Sequence, residues 1–130
     1  MAAMMEYWSH TETHEVIPGN AAEGTGVRCE WTGDGVDLVS GLYTGLSVRC
    51  TTAAVGDVTF RVYDSVSTSP GATGILLHEF DVPFSAQDEP SLDEVQPKPF
   101  FSGLVVTAEA AGAGRKADVT PFVKPLAGRR

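Results

Sequence analysis

The chain has 130 residues, 42% of them hydrophobic, and a formal charge of -8. That length fits one domain around one hydrophobic core, and the apolar fraction argues against a globally disordered chain. The acidic balance would repel a phosphate backbone, so nucleic acid is not an expected partner.

No stretch approaches the ~18–20 apolar residues that span a bilayer, so no membrane partner is expected. The opening MAAMMEYWSHTETHE lacks a basic region followed by an apolar one, which argues against a signal peptide and for synthesis in a cytoplasm. The 14 glycines and 8 prolines fit a chain of many short strands joined by turns.

Residues 1–26 read as an extended N-terminal arm. Met1 to Glu15 is polar, with Tyr7 and Trp8 as isolated aromatic anchors. Pro18-Gly19-Asn20 and Glu23-Gly24-Thr25-Gly26 are turn and linker signals. Such an arm serves contact with another subunit, or folds back on its own sheet.

Strand patterns start at Val27–Trp31 and continue, past an Asp34-Gly35 turn, through Val36–Leu38 and Leu42–Cys50. In Leu46–Cys50 the residues Leu46, Val48 and Cys50 alternate with Ser47 and Arg49, a half-buried pattern. Gly45 interrupts that strand, as glycine does at a bulge or a close backbone approach.

The alternation is strongest over Val58–Tyr63, where Val58, Phe60 and Val62 share one face. Asp64–Gly74 is a loop of turn formers. Ile75–Val82 follows, with Phe80 and Val82 on the core parity and His78 at its rim. Pro83–Pro99 is expected to be a long irregular acidic loop held extended by its prolines. Gly103–Ala110 and Ala117–Val123 close the domain, and Pro121 suits an edge or a bend. No amphipathic helix appears. The fold class is all-β: an antiparallel β-sandwich or jelly-roll-like barrel over 27–123, with the arm before it and a basic tail, 124–130, after it.

No set of residues converges on chemistry, so no catalytic residue, cofactor or metal is expected and the protein is not read as an enzyme. His10 and His14 stand four apart but carry no helix signal. The acids of 83–99 fit no calcium-loop spacing. Serines are abundant, but none sits in a nucleophile elbow. Cys29 and Cys50 recur in the string Val-Arg-Cys and read as buried thiols acting as small hydrophobes. A disulfide would need neighbouring strands and an oxidising compartment.

Charge is uneven along the chain. Arg115, Lys116, Lys124, Arg129 and Arg130 against Asp118 give the C-terminal end +4 and leave -12 for the rest. A basic end on an acidic body reads either as an electrostatic docking site or as a solvated terminus.

One resemblance goes beyond composition. Phe60–Asp64 (FRVYD) ends a strand in Val62, Tyr63 and Asp64; a Ser/Thr/Gly loop and the Ile75, Leu76, Leu77 strand follow. The return carries Gly103, Leu104 and Val106, a turn with Gly112 and Gly114, and a closing strand with Asp118, Val119 and Thr120. Over roughly 42–123 this resembles small β-sandwich structural proteins of tailed-phage virions; the Pro-rich insertion and Pro121 depart from the pattern.

The resemblance implies a capsid decoration (cement) protein located on the virion surface. Its partner would be the major capsid protein and its form a homo-oligomer, a trimer. Tyr7, Trp8, Arg115, Lys116, Lys124, Arg129 and Arg130 would then be the partner-binding residues. The alternatives are a head–tail connector, a tail or fibre subunit, or a carbohydrate-binding β-sandwich module.

Overall fold

The computed structural model describes residues 13–30, 40–51, 57–68, 74–83, 91–111 and 115–124. Among these residues there is no helix. Nine strands form: β1 (His14–Val16), β2 (Gly19–Asn20), β3 (Val27–Arg28), β4 (Gly41–Cys50), β5 (Asp57–Asp64), β6 (Ile75–Pro83), β7 (Ser91–Phe100), β8 (Leu104–Ala110) and β9 (Ala117–Lys124).

They make two sheets that pack face to face as a β-sandwich. The first has the order β1-β9-β4-β7; the second has β2-β8-β5-β6, with β3 also paired to β8. Pairing is antiparallel throughout except for β2 on β8. The pairs are nested: first with last (β1·β9), then β3·β8, β4·β7 and β5·β6. An antiparallel ribbon of that kind, rolled into two sheets, is the jelly-roll arrangement.

Period-two alternation builds the core. Val58, Phe60 and Val62 of β5, Leu46 and Val48 of β4, and Val106 and Ala108 of β8 are all fully buried. Phe60 and Phe80 stack with centroids 5.7 Å apart. At Gly45 the register of β4 slips against both neighbours. A Cβ there would meet the Asp93 carbonyl oxygen at 2.8 Å, so the glycine serves both the bulge and the close approach.

Three sequence expectations are corrected. The first is the irregular loop at 83–99: Ser91–Phe100 is a ten-residue strand. Among the described residues it pairs with β4 alone, as an edge strand, where Pro97 and Pro99 need not serve a second ladder.

The second correction concerns the arm, 1–26. Residues 1–12 lie outside the described part, but 13–26 belong to the sandwich. β1 joins the first sheet beside β9, and β2 and β3 join the second beside β8. Val16 is fully buried in the core, and His14 Nε2 accepts the Glu30 amide at 3.2 Å. The domain thus begins at least at His14, not at Val27. Between its strands this segment lies over β8, where a Cβ on Gly26 would meet Val105 Cγ1 at 2.5 Å. That cover explains why Val105 and Thr107, on the outward parity of β8, are fully buried.

The third correction is the place of the last strand. β9 is not an edge, because it lies between β1 and β4. The β1 register stops at Val119, so Pro121 falls past the end of that flanking strand. Lys124, assigned to the tail, is the last residue of β9. The Thr32–Gly35 turn, Val36–Leu38 and residues 125–130 lie outside the described residues.

A structural role for the N-terminal segment has a direct test. Val16→Ala removes two buried methyl groups and should lower the unfolding free energy by about 2 kcal/mol. In a detached arm the same change would stay within about 0.5 kcal/mol. Urea denaturation of the two proteins measures the difference.

Candidate functional site

Three features of the described surface and interior stand out: a Tyr–His–Asp relay that runs from the core to a half-exposed carboxylate, a polar network on the second sheet, and an apolar pole. The relay starts from His78 on β6, which the alternation of Ile75–Val82 turns inward. Its Nδ1 lies 2.7 Å from the Tyr43 hydroxyl and its Nε2 lies 2.6 Å from Asp93 Oδ2. A neutral imidazole has one donor and one acceptor nitrogen. The Tyr43 hydroxyl donates to Nδ1, and Nε2–H donates to the carboxylate.

Tyr43 and Asp93 stand on β4 and β7 of the first sheet, while His78 stands on the second. The relay therefore ties the sheets together on their β6–β7 side. Burial drives the Tyr43 phenol well above its ordinary range, with nearby Cys29 and Asp93 adding to the effect. Tyr43 is fully buried. The His78 ring also stacks on Phe80, with centroids 4.5 Å apart. Sequence reading placed His78 at the rim and missed both partners, which lie 35 and 15 residues away.

The second feature covers the outward face of β5. Arg61 donates to Glu79 on β6 at 2.5 Å and to Glu109 on β8 at 3.0 Å. Glu23, from the segment over β8, accepts the hydroxyls of Tyr63 at 2.5 Å and Thr107 at 2.6 Å. Thr59 donates to Asp81 at 2.7 Å. One guanidinium thus sits among several carboxylates. The network links all the long strands of this sheet to the N-terminal segment.

The third feature is organised by Asp64, the last residue of β5. Its carboxylate accepts the backbone amides of Phe101 (3.1 Å), Ser102 (2.8 Å) and Gly103 (3.3 Å). These residues form the turn between β7 in the first sheet and β8 in the second. Large apolar side chains gather within two residues or one backbone pairing of the Asp64–Tyr63 strand end. Phe101 is 66% exposed, Ile75 66%, Val66 63% and Leu76 47%. Exposed apolar side chains grouped near one strand end are candidates for an interaction site, with Ile75 and Leu76, consecutive on β6, leaving it on opposite faces.

Of the residues predicted to bind a partner, Tyr7, Trp8, Arg129 and Arg130 lie outside the described residues. Arg115, Lys116 and Lys124 are described, and β9 separates them. Lys116 and Lys124 sit at opposite ends of that strand, roughly 25 Å apart at the usual rise per residue. Lys124 pairs with Leu42 beside the Gly41–Phe100 pair, at the pole that carries Phe101. Arg115 is half-buried, and its Nη1 is shielded without a hydrogen-bond partner.

Among the described residues no group of three His, Cys, Asp or Glu side chains is arranged to hold a metal ion. No helix among them is long and apolar enough to cross a membrane. Cys29 and Cys50 are buried free thiols, as their alternation implied. Compared with known proteins, the chain matches no family model, and no curated protein matches it in sequence.

The thiols give a pH prediction with a definite sign. Burial, and then Glu30, push the Cys29 thiol from 9.0 up to about 12; burial pushes Cys50 up to about 11. Between pH 9 and these values the unfolded chain releases a proton that the folded chain keeps. Stability is therefore whole below pH 9 and falls above it, by about 1.4 kcal/mol per pH unit per thiol. Urea denaturation at pH 8 to 11 should show the decline, and Cys29→Ala should make it shallower. An unchanged slope in that variant would refute the assignment.

Proposed function

We propose that this protein is a structural virion component, a capsid decoration (cement) protein that binds the outside of a phage head as a trimer. The observation that carries the reading is the apolar pole around Asp64. It offers Phe101 from a turn held by three hydrogen bonds to one carboxylate, beside Ile75 and Leu76 at the start of β6 and Val66 just past β5. A cement protein needs such an adhesive end on a rigid body, because it adds buried area across seams that internal pressure pulls apart. Charge-assisted hydrogen bonds are the stronger kind, so the end is stiff before it binds.

Two further points support the reading. Jelly rolls recur in viral capsid proteins, although they also occur in lectin domains and cupins, so this support is by analogy. Lys124 adds a cation beside the pole. An acidic shell surface would be attracted to it, mainly through the association rate. A carbohydrate-binding module is the less favoured alternative. Its aromatic platforms should cluster on one face, whereas Phe101 and Phe122 are the exposed aromatics among the described residues, one on the turn and one on β9.

Sedimentation with capsids assembled from the cognate major capsid protein tests the proposal. The wild-type protein should pellet with the shells and saturate. Phe101→Asp should weaken binding by about thirtyfold or more, the loss expected of a central apolar anchor, while its melting temperature stays close to wild type. A wild-type protein that stays in the supernatant would overturn the reading. So would a Phe101→Asp variant that binds as well as wild type.

A further inference from the structure

The two sides of the sandwich are closed differently. On the β1–β3 side one continuous segment runs from sheet to sheet. On the other side stand two edge strands, β6 and β7, tied by the His78–Asp93 bond. The edges are not alike. β7 carries Pro97, Lys98 and Pro99, residues that blunt an edge against further pairing. β6 runs nine residues, and its only proline, Pro83, is its last residue. Among the described residues its strand partner is β5 alone. Its second row of N–H and C=O groups is a template for another strand.

A recess of about 140 Å³ opens beside that edge, lined by Phe80, Asp81, Val82, Leu92 and Asp93 together with Ser91. Its walls are apolar and aromatic, with Asp93 on the β7 side, while the Asp81 carboxylate stands beside Thr59 on the outward face of β6. Asp81 is held by the Thr59 hydroxyl, and Asp93 by His78. The described ion pairs of Arg61 go instead to Glu23, Glu79 and Glu109.

We propose that the free edge of β6 is a strand-addition site for an extended basic segment of a partner protein. Its Lys or Arg side chains face Asp81 and Glu79 on the outward side of β6, and its alternate apolar side chains face the recess. Main-chain pairing supplies affinity in this mode, and alternate side chains supply selectivity. Alternation along the added strand sets an apolar side chain beside Phe80 and Val82 while its neighbours face Glu79 and Asp81.

Charge decides between this occupant and a second copy of the chain. Antiparallel self-pairing at this edge would set Glu79 and Asp81 against an identical acidic strand, on a molecule of charge -8. Like charges across a strand pair are destabilising. The proposal does not rest on the capsid reading: the recess lies at Phe80–Val82, whereas Ile75 and Leu76 of the pole stand at the other end of β6.

Fluorescence anisotropy with the full chain tests it, using a labelled nine-residue peptide of alternating lysine and valine. Saturable binding is expected, weakening as salt is raised. Asp81→Asn, an exposed change that should leave the melting temperature alone, should weaken binding by about tenfold. The same peptide N-methylated at alternate residues should not bind, because it cannot pair along the edge. Equal binding of the N-methylated peptide would reduce the effect to bulk charge and overturn the proposal. It would also be overturned by equal binding of an alternating glutamate–valine peptide, by no binding of the lysine peptide at millimolar concentration, or by a self-dimer that the peptide competes apart.

Discussion

A single carboxylate holds one of the points where the chain passes from one sheet to the other. Asp64 ends β5 in the second sheet and accepts three amides from the turn that carries β7 of the first sheet into β8 of the second. A buried amide left without a partner costs about 1–3 kcal/mol. The turn has no regular ladder to serve its amides, and Asp64 serves all of them. The consequences spread in both directions along the chain. The start of β8 is fixed against β5, with Leu104 opposite Asp64. Phe101 is pushed outward, and the apolar pole takes its shape from that turn.

The rest of the sandwich divides into a closed side and an open side. The closed side is covalent: the segment from His14 to Arg28 leaves the edge of the first sheet, crosses, and lines the edge of the second. Its glycines allow backbone to lie against backbone and against Val105. The open side is joined by hydrogen bonds through His78, which leaves two strand edges facing outward. This asymmetry leaves, among the described residues, exposed apolar side chains near Asp64 and a β6 edge with no strand partner beyond β5. Function on such a molecule is a property of its surfaces.

Local alternation made β5, β6, β8 and β9 legible in the sequence, because each strand has one buried face and the period of two is visible within six or seven residues. The all-β class and a jelly-roll-like arrangement follow from those strands. What escaped was non-local. β7 carries two prolines, read as breakers, and only its pairing with β4 reveals that it is an edge where proline is tolerated. β1, β2 and β3 have two or three residues each, too few to show a period. The partners of His78 lie on other strands, and no spacing rule joins Tyr43, His78 and Asp93. The basic residues near the C-terminus all fall between 115 and 130 on the chain, yet the extended β9 carries Lys116 and Lys124 to opposite ends. Asp64 was legible as a strand end within FRVYD, but not as the acceptor of a turn 37 residues later.

Residue-resolved amide hydrogen exchange tests the central claim most directly. Phe101 and Ser102 are exposed side chains on a surface turn, so free amides there would exchange almost at once. If Asp64 binds them, the amides of Phe101, Ser102 and Gly103 should be protected nearly as well as those of β5. Asp64→Ala should strip that protection at all three while the centre of β5 keeps its own. Fast exchange of these amides in the wild-type protein would contradict the account.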